Sequence, residues 1–110
     1  MAEIVWTAEA LRWLHEIHDH IAADSADAAD RVVKGILAHV EQLVQFPESG
    51  ALLRALGQTF RMMLYEHYRI VYRLLDGERI EVIGVYHGPL DIARRLMSDV
   101  KGTGGDTIHE

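Results

Sequence analysis

The chain contains no cysteine, which excludes disulfides, thiolate metal centres and C-x-x-C redox chemistry. The same absence fits a reducing compartment. Lysine is almost missing too: Lys34 and Lys101 are the only two. The cationic groups are therefore arginines, whose planar fork favours bidentate pairing with carboxylate or phosphate. No apolar run approaches the ~18 residues that a membrane span requires. The opening "MAEIVWTAEA" has neither the basic n-region nor the apolar h-region of a secretory signal. The expectation is a cytoplasmic protein without a membrane partner.

What is present suits one domain. A chain of 110 residues with 49% hydrophobic content can bury a core without staples. The formal net charge of −6 argues against a stand-alone nucleic-acid binder, which normally carries a basic excess. Positive charge is nonetheless concentrated in the second half, at Arg54, Arg61, Arg69, Arg73, Arg79, Arg94 and Arg95.

Periodicity supplies the order of elements. "EIVW" (Glu3 to Trp6) reads as a first strand, and Thr7 as the N-cap of a helix with Glu9 in its first turn. Ala10, Leu14, Ile17 and Ile21 then recur at helical spacing, flanked by Leu11 and Trp13. Ser25 caps a second helix with the stripe Ala29, Val33, Ile36, Val40 and Leu43, which Pro47 ends. A short connection makes the two an antiparallel hairpin. Pro47 to Thr59 is read as a connecting loop. Phe60 to Glu66, Tyr68 to Leu75 and Arg79 to His87 read as three strands, the last two joined by a two-residue Asp76-Gly77 turn. Simple alternation puts Ile80, Val82, Gly84 and Tyr86 on one face of the last strand, and Glu81, Ile83, Val85 and His87 on the other. Leu90 to Val100 makes a short final helix. The fold class expected is α+β: an N-terminal strand, a helical hairpin packed on an antiparallel sheet, a three-strand C-terminal meander and a short C-terminal helix. Residues 1–100 form the domain, and the Gly-rich residues 101–110 a flexible polar tail.

"HEIHDH" (His15 to His20) has helical metal-ligand spacing, since His15 and Asp19 stand one turn apart. The residues lie outside the apolar stripe, however, and no further ligands are evident. A solvated helix face is the better reading, with no metal and no cofactor. Trp13, Leu37, Met62 and Met63 exceed what two helices and a small sheet bury, and so suit a groove for a partner helix.

The strings "VWTAEALRWLHEIHDHIAADSADAADR", "FPESG", "FRMMLYEHYRIVYR" and "VIGVYHGPLDIARRL" resemble the RelE/ParE superfamily of bacterial type II toxins, from Ile4 to about Val100. The resemblance implies a toxin silenced by a cognate antitoxin, with growth inhibition and plasmid stabilisation as its outcomes. It also implies one of two modes of action. RelE-like members are ribosome-dependent mRNA endonucleases. ParE-like members inhibit DNA gyrase and are not known as nucleases.

The residues favour the second mode. Arg69 matches the superfamily's central-strand arginine, and Arg61 stands near one cationic position, but Met63 and Gly88 occupy others, and no Lys-x-Lys is present. A second nuclease pattern ends in Tyr-His-Tyr; here Tyr86 and His87 are followed by Gly88. Neither Glu41 nor Glu48 matches that pattern's acid. "HGPLD" resembles the ParE-type ending instead. Catalysis, if present, would fall to Arg69, His87 and Arg61. Otherwise Trp13, Leu37, Met62, Met63, Arg69, Arg73 and His87 are candidates for partner binding, with Arg69 expected to pair with Asp91 or a helix glutamate, and Arg73 a solvated edge charge. The alternatives left open are an mRNA endonuclease using Arg69 and His87, and a non-toxic antitoxin-binding or homodimer-forming member. No direct nucleic-acid partner is expected.

Overall fold

Thr7 joins the first two elements and pins them to the sheet. Strand β1 (Glu3–Trp6) leads into it, and helix α1 (Ala8–Ala22) leaves it. Thr7 Oγ1 accepts the backbone N–H of Ala10 at 3.1 Å and donates to the Val82 carbonyl at 2.9 Å. One buried hydroxyl thus caps the helix, as the sequence predicts, and fastens it to a strand 75 residues away. The computed structural model describes residues 2–76 and 78–109, with side chains described as far as Lys101.

Ser25 likewise caps α2 (Ala26–Glu41), accepting the Ala28 N–H at 3.1 Å, and a 3-10 turn (Gln42–Val44) follows. The two helices pack on each other, and His18 Nε2 lies 2.9 Å from Asp30 Oδ1 across the pair. Gly35 sits mid-helix, where glycine costs about 1 kcal/mol relative to alanine. The Tyr65 ring occupies the space a Cβ there would take. Gly35 thus lets α2 approach the sheet.

The sheet has the order β1-β5-β4-β3-β2. Strands β2 (Ala51–Ala55), β3 (Gln58–Tyr65), β4 (Tyr68–Leu75) and β5 (Arg79–Tyr86) form an antiparallel meander, and β1 adds to β5 in parallel. The α+β class stands, but the meander has four strands. The segment expected as a loop contains β2 and the first two residues of β3. "ALLRA" lacks alternation and is exposed because it is an edge strand, so its pairing came from β3 and left no periodic trace.

At the β4–β5 turn, Leu75 pairs with Arg79, so three residues separate the paired positions rather than two. Glu78 N–H donates to the Leu75 carbonyl at 3.2 Å, and Asp76 adopts φ 44°. Gly77 lies outside the described residues. Helix α3 (Pro89–His109) packs on β5 and α1, and its backbone runs on through most of the segment read as a polar tail.

One irregularity decides which side chains share a face. Val71 pairs with Gly84 but Tyr72 pairs with Val82, so Ile83 is an extra residue in β5. Alternation therefore breaks at Ile83. The register groups Tyr68, Ile70, Tyr72, Leu74, Ile80, Val82 and Val85 on one face, with Tyr65 and Met63 beside them on β3. Tyr65 contacts Gly35, so this is the α2 side. Arg69, Val71, Arg73, Glu81, Gly84 and Tyr86 belong to the other face, with Met62 and Leu64 across β3. The faces expected from simple alternation beyond Ile83 are thus reversed. The core combines Ala10, Leu14 and Ile17 of α1 with Ile36 and Val40 of α2 and most of β4 and β5. Each such fully buried aliphatic side chain contributes roughly 1.5–3 kcal/mol.

Candidate interaction surfaces

The two side chains that an RNA-cleaving site would need together are not together. His87 follows the end of β5, and its ring meets Tyr68 edge-on at 4.9 Å and His67 at 5.3 Å. Tyr68 is on the α2 side of the sheet. Arg69, the next residue in a regular strand, projects from the opposite side and pairs laterally with Leu64 and Tyr86. The bulge at Ile83 is the cause. Without it, His87 would share the face of Arg69.

Two of the remaining arginine candidates hold the structure together. Arg61 Nη1 donates to the carbonyls of Glu48 and Gly50, each at 2.9 Å. The hydroxyl of Tyr72 clamps the same loop, donating to the Pro47 carbonyl at 2.8 Å and accepting the Gly50 N–H at 3.0 Å. Burial raises the Tyr72 phenol above its ordinary pKa, partly offset by the Gly50 N–H and by Arg61. Arg73 is no solvated edge charge. Its Nε lies 2.7 Å from Glu81 Oε1, with side chains 18% and 9% exposed, and its Nη1 donates to Gln58 Oε1 at 2.6 Å. The pair is a direct cross-strand neighbour in the register, which leaves Arg73 little freedom to meet a partner.

Arg69 differs from both. It makes no ion pair with Asp91 or any other described carboxylate, and its buried Nε has no hydrogen-bond partner among the described residues. Beside it Leu64 is 55% exposed. The residue itself retains partial exposure.

Trp13 is a core residue at the α1–α3 junction. Its indole N–H donates to Asp99 Oδ2 at 2.9 Å, and the Tyr86 hydroxyl donates to the same oxygen at 2.7 Å. The two rings meet edge-to-face at 4.9 Å, and the Arg95 guanidinium lies 4.0 Å over the indole. Burial and the Asp99 carboxylate push the Tyr86 phenol well above its ordinary value, so it remains a proton donor to Asp99. Tyr86 is therefore committed to an internal bond. Nothing in the sequence links Trp13 with Asp99, 86 residues on.

Met62 and Met63 take opposite faces of β3 and do not form one groove with Trp13 and Leu37. Met63 stands opposite Ile70 and Met62 opposite Val71 and Ala51, and both are partly buried against the core. Leu37 is 38% exposed on α2, one turn from Val33. Val33, Leu11, Leu14, His15 and His18 line a cleft of about 320 Å³ between the helices. Leu11 is 45% exposed, which gives this cleft an open apolar rim. A second cleft of about 320 Å³ is lined by Trp13, Glu16, Ile17, His20, Tyr68 and His87. Among the described residues no group of three ligating side chains converges on a metal position. Of "HEIHDH", His18 faces Asp30 of α2.

The sequence matches, over residues 4–89, the family described as the ParE toxin of type II toxin–antitoxin systems, parDE. It is 37% identical over 84 residues to the toxin designated Y4kP of Sinorhizobium fredii, covering 76% of this chain and 85% of that protein. It is 33% identical over 88 residues to toxin RelE2 of Caulobacter vibrioides, covering 79% and 96%. A solved structure of the chromosomal ParDE system from P. aeruginosa shares the fold, with a TM-score of 0.67, 24% identity and coverage of 78% and 95%.

Proposed function

The chain belongs to the ParE toxin family of type II toxin–antitoxin systems, and on that premise we propose that it acts by binding proteins: DNA gyrase when free, a cognate antitoxin when silenced. The observation that carries the reading is the separation of Arg69 from His87 across the sheet. In-line cleavage of RNA needs cations converging on one phosphate and a base within hydrogen-bond reach of the attacking hydroxyl. Here Arg61 and Arg73 are engaged elsewhere, and Tyr86 is bonded to Asp99. The helix–helix cleft, with Leu11 open at its rim and Leu37 exposed one turn beyond its lining residue Val33, suits an amphipathic helix of a partner.

The test is the order of events after induced expression. Pulse-labelling should show DNA synthesis failing before protein synthesis, with the DNA-damage response following. Immediate arrest of translation with codon-positioned mRNA cuts would replace this reading with the endonuclease one.

A further inference from the structure

Arg69 carries a buried guanidinium nitrogen that finds no acceptor among the described residues. Its Nε is buried and unbonded while the side chain keeps partial exposure, so that one donor forfeits hydration without compensation. Its surroundings are specific. Leu64 lies across β3 at 55% exposure, Met62 and Ala51 continue the same face toward the sheet edge, and Tyr86 closes the other side. The result is a mostly apolar strip with one unanswered positive charge.

We propose that Arg69 receives a carboxylate of the antitoxin, carried on an apolar stretch laid across Leu64, Met62 and Ala51. The proposal rests on the protein-binding reading above and names the chemistry of one contact within it. A single fork of N–H donors matches one carboxylate in bidentate geometry. A nucleic-acid backbone would call for several converging cations. On this face Arg73 already answers Glu81 and Gln58, and the chain carries a net charge of −6. Leu64 would also be poorly used by a phosphate chain, whereas an apolar side chain beside the acid would cover it.

The experiment measures the affinity of purified full-length chain for its purified antitoxin, with Arg69→Gln and Arg69→Lys beside the native protein. Each acidic residue of the antitoxin is changed in turn to its amide. Arg69→Gln is expected to keep or raise the melting temperature, because it removes an unpaired cation, and to weaken binding on the order of 30-fold or more. Arg69→Lys, which keeps charge but loses the fork, is expected to fall between. One antitoxin acid should lose its effect in the Arg69→Gln background, the signature of direct coupling. Unchanged affinity, or weakened affinity with no acid coupled, overturns the proposal and leaves the protein-binding reading intact. A collapsed melting temperature in Arg69→Gln assigns Arg69 a structural role and also overturns it. Retained antitoxin affinity with loss of ribosome-dependent mRNA cleavage makes Arg69 a phosphate site and sinks both readings. Failure of the native chain to bind the antitoxin at all removes the premise and the proposal together.

Discussion

Arg69 and His87 stand on opposite faces of the sheet because Ile83 is inserted between them in β5. His87→Ala removes an exposed ring that meets Tyr68 edge-on and His67 at a tilt. It should lower stability by less than about 1 kcal/mol. Growth arrest on induction should persist at matched protein levels. Loss of toxicity in a variant that melts normally would show His87 in a functional contact.

Asp99 carries the junction of α1, β5 and α3, since one carboxylate oxygen accepts from both Trp13 and Tyr86. Asp99→Ala should cost about 2–4 kcal/mol by stranding two buried donors. Asp99→Asn should cost less, because its amide oxygen still accepts. Denaturant titration of both variants checks the order. An Asp99→Ala protein as stable as the native chain would mean that the apolar contacts of α3, Ile92 and Leu96 among them, hold it without the carboxylate.

Stability should fall at alkaline pH for a definable reason. The Tyr86 phenol is raised above its ordinary value of 10.0 by burial and by Asp99, so the folded protein holds that proton more tightly than the unfolded chain. This contribution is complete below about pH 10 and is lost as the pH rises through the folded-state value. Tyr68 and Tyr72 are raised in the same sense. Melting temperatures from pH 8 to 11 should decline above pH 10. Tyr86→Phe should melt lower at pH 8, through loss of the bond to Asp99, yet decline less steeply above pH 10. Parallel curves would remove Tyr86 as the cause.

The helix–helix cleft makes a further claim. Leu11→Glu and Leu37→Glu alter exposed positions and should shift stability by about 0.5–1 kcal/mol at most. Each should sharply reduce co-purification with the antitoxin, and the double variant should abolish it. Complexes that survive the double variant would place the antitoxin elsewhere.

Much of this architecture is legible in the sequence. Thr7 and Ser25 declare themselves as caps, and Ala10, Leu14 and Ile17 with Ala29, Ile36 and Val40 are buried as their spacing requires, whereas Val33 of the same stripe lines the open cleft. What escaped was information that lies between strands. β2 has no alternation because its order comes from β3, and the bulge is invisible in "VIGVY" because that run is buried throughout. Reading past the bulge as regular put His87 on the wrong face. The internal engagements of Arg61, Arg73 and Trp13 depend on partners that the fold brings near. No local pattern marks Asp99 as the acceptor for Trp13, or Gln58 as an acceptor for Arg73. Arg69 was legible as a candidate, but its lack of a partner was not.

The central claim is that this toxin disables a protein and does not cut RNA. DNA supercoiling by purified gyrase, assayed with increasing toxin, tests it most directly. The account predicts that supercoiling stops at toxin concentrations comparable to the enzyme's and resumes when equimolar antitoxin is added. It also predicts that His87→Ala inhibits as the native chain does. Full supercoiling at every toxin concentration, with a preparation that still arrests growth when expressed, would contradict the account.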